Sequence, residues 1–128
     1  MTPARPTSIY IVDDSVSIRS RLAEMLATMG DVRVVGEAAS AADAVEGILH
    51  ARPDSVLLDL HLGGRSGMEV LQHVRRAAPE IVFVVLTNHS EPQYRRACAR
   101  AGAAYFLDKS TEFDRVRSVI AEIAATHH

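Results

Sequence analysis

The chain has 128 residues, a formal net charge of −2, and 48% hydrophobic and 23% charged residues. This length fits one domain with a buried core, and the small net charge argues against a surface that binds nucleic acid or an anionic membrane. The single cysteine, Cys98, excludes an internal disulfide, and no stretch approaches the roughly 20 apolar residues of a membrane span, so we expect a cytoplasmic protein.

The chain opens with a polar lead over residues 1–7, which we predict to be disordered, and we predict one domain over residues 8–126. That domain contains five short apolar runs. Most are near-continuous rather than alternating, which indicates strands covered on both faces of a parallel sheet. The runs cover residues 9–12, 32–36, 55–58, 81–86 and 104–107.

Stretches with helical periodicity separate these runs. Helices are predicted over 15–29, over 41–50 with Ser40 as N-cap, around Met68–Val74, over about 91–101, and from Phe113 to Ile123. The fourth helix has the weakest apolar side and is therefore a candidate moving part. Five such repeats predict a doubly wound (βα)5 flavodoxin-like α/β fold, with a parallel five-stranded sheet in the order 2-1-3-4-5.

Polar residues follow the predicted strands where they end. Asp13 and Asp14 follow the first strand, Asp59 the third and Thr87 the fourth, and Lys109 lies just after the fifth. Because the first and third strands are neighbours, three carboxylates should converge at one edge of the sheet. Three close carboxylates need a positive partner to stay ionised, and the candidates are Lys109, the only lysine in the chain, and a divalent cation such as Mg²⁺.

Several motifs together carry a resemblance to a known family. They are "VDD" (12–14), "LLDLHLGGRSGMEVL" (57–71), "VVLTN" (84–88) and "GAAYFLDKS" (102–110). In this order they resemble the receiver domain of two-component response regulators, and "DKSTEF" resembles single-domain, chemotaxis-Y-like members. The resemblance covers the chain from about Ser8 onward. It implies a domain that takes a phosphoryl group from a histidine kinase or phosphotransfer protein and catalyses only its own phosphorylation and dephosphorylation.

The resemblance implies roles for the residues at the strand ends. Asp59 would be the phosphoacceptor, and Asp13 and Asp14 would organise Mg²⁺ together with Asp59 and the backbone carbonyl of His61. Lys109 would pair with the phosphoryl group. We expect no cofactor other than the metal.

The resemblance also implies a switch. Thr87 would hydrogen-bond the phosphoryl group and Phe106 would turn inward, while Tyr105 should face the other way by strand alternation. The surface of the fourth helix, fifth strand and fifth helix would then change for a downstream effector protein. We expect a monomer or a phosphorylation-dependent dimer, with no direct contact to nucleic acid or membrane.

Three details of the sequence depart from the usual receiver pattern or invite another interpretation. Ser110 follows Lys109 where many members have proline, so we expect a trans peptide bond there. His61 and His89 occupy positions that tune dephosphorylation in this family, or they are solvated loop histidines. The "GGRSG" stretch lacks the spacing of a phosphate-binding loop and is predicted to be a flexible turn with Ser66 near the N-cap of the third helix.

The same residues also bear on three other functions. An aspartate-nucleophile, Mg²⁺-dependent phosphatase would need a second aspartate two residues after Asp59, where this chain has His61. A phosphorylation-independent binding module would not need the acidic set, and an FMN-binding protein would need a phosphate-binding loop after the first strand. The "VVGEAAS" and "LDLHL" stretches also resemble receivers joined to a DNA-binding helix-turn-helix, and a receiver fragment of such a regulator is therefore the alternative interpretation.

Overall fold

The computed structural model describes residues 5–126. The elements, in chain order, are β1 (Thr7–Val12), α1 (Val16–Ala27), β2 (Val32–Ala38), α2 (Ala41–Ala51), β3 (Ser55–Leu58), β4 (His61–Leu62), β5 (Arg65–Ser66), α3 (Gly67–Ala77), β6 (Val82–Thr87), α4 (Pro92–Arg100), β7 (Tyr105–Asp108) and α5 (Arg115–Thr126). Five parallel strands form one sheet in the order β2-β1-β3-β6-β7. This order confirms the predicted 2-1-3-4-5 topology, because β4 and β5 form a separate small sheet.

The two faces of the sheet bury separate hydrophobic cores. Alternate residues of β1 enter different cores: Ile9 and Ile11 pack with α1 and α5, whereas Tyr10 and Val12 pack with α2 and α3. All four residues of β3 are buried. The prediction that the strands are covered on both faces is therefore confirmed for β1, β3 and β6, whereas β2 at the side of the sheet is only partly buried. The same period-2 alternation decides which side chains face each helix layer.

Side-chain caps fix the start of three helices. The hydroxyl oxygens of Ser15, Ser40 and Ser66 accept hydrogen bonds from backbone amides in the first turns of α1, α2 and α3. Helix α4 begins at Pro92 after Glu91, which makes no capping hydrogen bond, and its one fully buried residue is Cys98. Helix α4 is thus the most weakly anchored of the five described helices, as its sequence pattern predicts.

Several boundaries differ from the sequence prediction. Strand β1 begins at Thr7, two residues earlier than predicted, and Arg5 donates two hydrogen bonds to Asp54, at 2.9 and 2.8 Å. Of the lead predicted over residues 1–7, residues 1–4 lie outside the described residues. Helix α5 begins at Arg115, because Phe113 lies buried in the turn that precedes it.

Three further features of the structure concern the hairpin, one peptide bond and the length of the helices. The stretch predicted as a flexible turn (63–67) contains the turn of a short antiparallel hairpin, β4–β5, in which His61 pairs with Ser66. Residues 5–126 contain no cis peptide bond, so the Lys109–Ser110 bond is trans, as expected. Within the same residues, no helix has both the length and the apolar character that crossing a bilayer requires.

Candidate functional site

Three carboxylates meet at the carboxyl edge of the sheet. Strands β1 and β3 pair in parallel with Val12 opposite Leu58, which brings the residues that follow them side by side. Asp13, Asp14 and Asp59 each place a carboxylate oxygen so that all three oxygens lie within 4.8 Å of one another. Asp13 and Asp59 are buried, at 2% and 6% exposure, whereas Asp14 is exposed. The convergence predicted from the strand ends is confirmed.

Lys109 lies against the two buried acids. Its Nζ is 2.7 Å from Asp13 Oδ2 and 3.0 Å from Asp59 Oδ2, and its side chain is only 10% exposed. Burial lowers the pKa of Lys109, but hydrogen bonds and charge attraction from Asp13 and Asp59 outweigh burial, so the net pKa is raised. The ammonium group is therefore charged at neutral pH, and it offsets one of three negative charges.

Backbone amides hold each carboxylate in place. The amide donors are Ser15 to Asp13 Oδ1 at 2.9 Å, His61 to Asp59 Oδ1 at 3.2 Å, and Gly63 to Asp14 Oδ2 at 3.0 Å. The contact from Gly63 was not predicted from the sequence. Gly63 has a φ of 61°, a left-handed conformation that glycine adopts readily, and this turn brings the β4–β5 hairpin back over Asp14.

Thr87 ends β6 beside Lys109. The backbone amide of Lys109 donates to the Thr87 carbonyl at 2.8 Å, and the Thr87 hydroxyl oxygen accepts from the His89 amide at 3.2 Å. Thr87 is fully buried, which is unusual for a polar side chain unless it is hydrogen-bonded. The structure thus places Thr87 next to the lysine, as the strand order predicts.

One cavity of about 300 Å³ gathers most of the predicted site residues. It is lined by the three acids and Lys109, together with Ser15, Ile18, His61, Asn88 and His89. Phe106 is not part of this cavity. It is half-buried on the α4 side of the sheet, where it packs against Leu60, Val85 and Cys98, whereas Tyr105 packs into the core on the other face. The opposite orientation predicted for these two aromatic residues is confirmed.

The two histidines lie at the edge of the cavity. The ring centroids of His61 and His89 are 5.6 Å apart, and His89 lies 5.7 Å from the ring of Tyr94 on α4. Both histidines also line a neighbouring groove of about 500 Å³ between the β4–β5 hairpin and α4. They are therefore positioned at the entrance to the acidic site, although their effect on dephosphorylation stays a prediction.

Comparison with known proteins identifies the family. A sequence model of the response regulator receiver domain matches residues 9–121. The chain belongs to the response regulator receiver domain family. This receiver is 32% identical over 111 residues to the luminescence regulatory protein LuxO of Vibrio campbellii, and 30% identical over 115 residues to the response regulator protein VraR of Staphylococcus saprophyticus. These matches cover 86% and 90% of the receiver, but the receiver spans only 24% of LuxO and 55% of VraR.

Solved structures show the same fold. The receiver domain of the putative response regulator NarL from Mycobacterium tuberculosis superposes with a TM-score of 0.86 and 29% identity, covering 95% of this chain and 98% of that one. A LuxR-family response regulator from Aurantimonas gives a TM-score of 0.87 and 27% identity, covering 94% of this chain and 86% of that one. The chain is thus a receiver domain with a phosphoacceptor role in two-component signalling, as the motifs predict.

Proposed function

We propose that Asp59 is the phosphoacceptor, and that its phosphoryl group comes from a phosphohistidine of a histidine kinase or phosphotransfer protein. One observation carries this proposal: Asp59 lies within 4.8 Å of the carboxylate oxygens of two other acids while one of its own oxygens contacts Lys109 at 3.0 Å. Asp59 follows the central strand β3 and is buried, so its position is fixed by the core of the sheet.

The proposed reaction is an in-line displacement at phosphorus. A carboxylate oxygen of Asp59 attacks, an acyl phosphate bond forms, and the phosphorus–nitrogen bond of the donor breaks. The departing imidazole keeps the bonding electrons and takes up a proton. Repulsion between the carboxylate and the phosphoryl group opposes this step, and Lys109 reduces that repulsion because its ammonium group already contacts Asp59.

The donor set fits a hard divalent cation. Three carboxylates within 4.8 Å of one another match the oxygen ligands that Mg²⁺ prefers, and the neighbouring ammonium offsets only one of their charges. Asp13, Asp14, Asp59 and the backbone carbonyl of His61 would hold the ion. When bound, Mg²⁺ supplies positive charge that offsets repulsion between the carboxylate and the incoming phosphoryl group.

The proposed switch involves Thr87 on β6 and Phe106 on the neighbouring strand β7. Phosphorylation adds about −1.5 to −2 of charge and new acceptor oxygens at Asp59. Lys109 would pair with one of these oxygens and the Thr87 hydroxyl would donate to another. Movement of Thr87 would let the Phe106 ring turn inward, because both residues lie on paired strands. The face formed by α4, β7 and α5 would then differ between the two states, and an effector protein would bind one of them.

Intact mass spectrometry tests the acceptor assignment. The receiver is incubated with Mg²⁺ and acetyl phosphate, and we expect one phosphoryl adduct that hydroxylamine removes. Asp59→Asn should give no adduct. The control is Asp31→Asn, which changes an exposed acid just before the amino end of β2 and should behave as the unmodified chain does. A persistent adduct in Asp59→Asn would refute the assignment. Multiple turnovers of a phosphoester would instead favour the phosphatase alternative.

A further inference from the structure

One arginine of α4 joins four separate segments of the receiver. The Arg95 guanidinium lies over the Phe106 ring, with its central carbon 4.6 Å from the ring centroid. Its Nε donates to the Ser90 carbonyl at 3.3 Å, its Nη1 donates to the Phe106 carbonyl at 3.5 Å, and its Nη2 is 3.6 Å from Glu112 Oε1. Arg95 therefore connects α4, the loop before it, strand β7 and the turn before α5.

The acid that anchors Arg95 is itself fixed. Glu112 Oε1 accepts a hydrogen bond from the Asp108 amide at 3.0 Å, and its other oxygen accepts one from Arg115. These hydrogen bonds, that to the Asp108 amide above all, lower the pKa of Glu112, with a smaller contribution from the charge of Arg95. Glu112 is thus ionised at neutral pH and holds the guanidinium beside the end of β7.

The neighbouring arginine provides the contrast. Arg96 is exposed on the same helix, and within residues 5–126 the structure records no ring contact or ion pair for it. The contacts of Arg95 are therefore specific to its position and are not a general property of the basic face of α4. Arginine suits this position because a planar guanidinium can stack on a ring while its edges donate hydrogen bonds.

We propose that Arg95 is a latch that holds the Phe106 ring half-buried on the face formed by α4, β7 and α5 and opposes its turn inward. This inference rests on the proposed switch role of Phe106. It adds the residue that sets the equilibrium between the outward and inward positions of the ring in the unphosphorylated receiver. The ring can turn inward only by leaving the guanidinium that covers it. Arg95 is a positioning residue, since it contacts Phe106 and not the phosphoacceptor.

The expected size of the effect follows from the contact. A cation–π pair at an exposed site shifts an equilibrium by about 2- to 5-fold, and the Arg95 side chain is 43% exposed. Removing the latch should therefore raise the population of the inward ring by that factor in the unphosphorylated receiver. If the receiver is phosphorylated from the state in which the ring is inward, the rate of phosphorylation should rise by up to the same factor.

The test compares Arg95→Met with the matched control Arg96→Met and with Arg95→Lys, which keeps the charge but lacks the planar group. Nuclear magnetic resonance of the unphosphorylated protein reports the exposure of the ring through the relaxation of its signals by a soluble gadolinium chelate. We expect Arg95→Met to protect the ring from the chelate, Arg96→Met to leave it unchanged, and Arg95→Lys to fall between them. A ring equally accessible in Arg95→Met and Arg96→Met would overturn the latch.

Two further measurements separate this proposal from the proposed function. Phosphorylation by phosphoramidate, followed by intact mass, should be about 2- to 5-fold faster in Arg95→Met, and this gain should vanish in a Phe106→Leu background. A gain that persists without the aromatic ring would overturn the latch. The measurement of ring exposure needs no phosphorylation and can be repeated in Asp59→Asn. If Arg95→Met protects the ring but no variant forms a phosphoryl adduct, the latch is supported and the acceptor assignment is refuted.

Discussion

Lys109 sets the charge balance of the acidic site. Removal of its ammonium group in Lys109→Met leaves Asp13 and Asp59 buried without their positive partner, and breaking a buried pair costs about 3 kcal/mol. We expect the free energy of unfolding at pH 7 to fall by about this amount in urea titrations without metal.

The pH dependence of this loss has a defined sign. Because the pKa of Lys109 is raised in the folded receiver, its contribution is complete below the ordinary value of 10.5 and is lost as pH rises through the raised pKa. As the pH is raised from 7, the stability gap between the unmodified chain and Lys109→Met should therefore persist until the solution is strongly alkaline. Arg33→Met, at an exposed arginine of β2, should leave stability nearly unchanged. A gap that closes between pH 7 and 9 would contradict this account.

Cys98 should be chemically inert in the folded receiver. The residue is fully buried between α4 and the sheet, and burial raises the pKa of its thiol to about 11. Since the thiolate is the reactive form, we expect negligible alkylation by iodoacetamide at pH 8 and rapid alkylation in denaturant. Mass spectrometry over time measures both rates. Similar rates in the two conditions would show that α4 opens often enough to expose the thiol.

Among single residues, the sequence identifies the groups that end strands and misses those that connect distant parts of the fold. Asp59 and Lys109 could be found because the carboxyl ends of parallel strands meet at one edge. Gly63 and Arg95 could not, because the amide that holds Asp14 and the guanidinium that covers Phe106 depend on a turn and a helix placement that the motifs leave open.

The connection between β3 and α3 contains the proposed acceptor Asp59, and at its end there is little room for a larger side chain. Gly67 begins α3, and a Cβ there would overlap the carbonyl oxygen of Asp59 and lie 2.9 Å from the Cα of Leu60. Both are backbone atoms that cannot move without moving Asp59. We expect Gly67→Ala to destabilise the receiver by about 2 kcal/mol and to slow phosphorylation, as judged by thermal unfolding and intact mass.

A nearby glycine is the matched control. At Gly64 an added Cβ would meet no atom within 4 Å, and the residue is exposed in the β4–β5 hairpin. Gly64→Ala should therefore retain normal stability and phosphorylation. Equal effects of the two substitutions would mean that hairpin flexibility matters, and not the close approach to Asp59.

Short elements mark the limit of sequence prediction. Strands β4 and β5 have two residues each, so they present no periodicity, and the sequence predicts only a flexible turn for the "GGRSG" stretch (63–67) that joins and overlaps them. The start of α5 was placed too early because Phe113 fits the helical spacing but packs into the core from a turn. Long periodic segments, by contrast, were predicted close to their observed limits, since their burial pattern dominates the local choice.

For the whole molecule, the strand order follows from few assumptions. Five buried runs alternating with helices require a parallel sheet with both faces covered, and right-handed crossovers leave few topologies at this length. The same order that buries two hydrophobic cores also places the ends of β1 and β3 together. Stability and the acidic site therefore share one cause, and the excess negative charge at that edge is built into the fold.

This excess charge predicts that Mg²⁺ stabilises the entire receiver. The three carboxylates meet only when the sheet is intact, so the ion binds the folded chain and not the unfolded chain. At a concentration of 100 times its dissociation constant, such an ion raises the free energy of unfolding by about 2.7 kcal/mol. We expect the Tm to rise with Mg²⁺ concentration, and the rise to be much smaller in Asp14→Asn. Asp14 is the informative position because it is exposed and because, among the described residues, Lys109 forms its ion pairs with Asp13 and Asp59. Asp14→Asn therefore leaves those two ion pairs intact. Asp31→Asn should respond to Mg²⁺ as the unmodified chain does, and an equal rise in Asp14→Asn would show that the ion binds elsewhere.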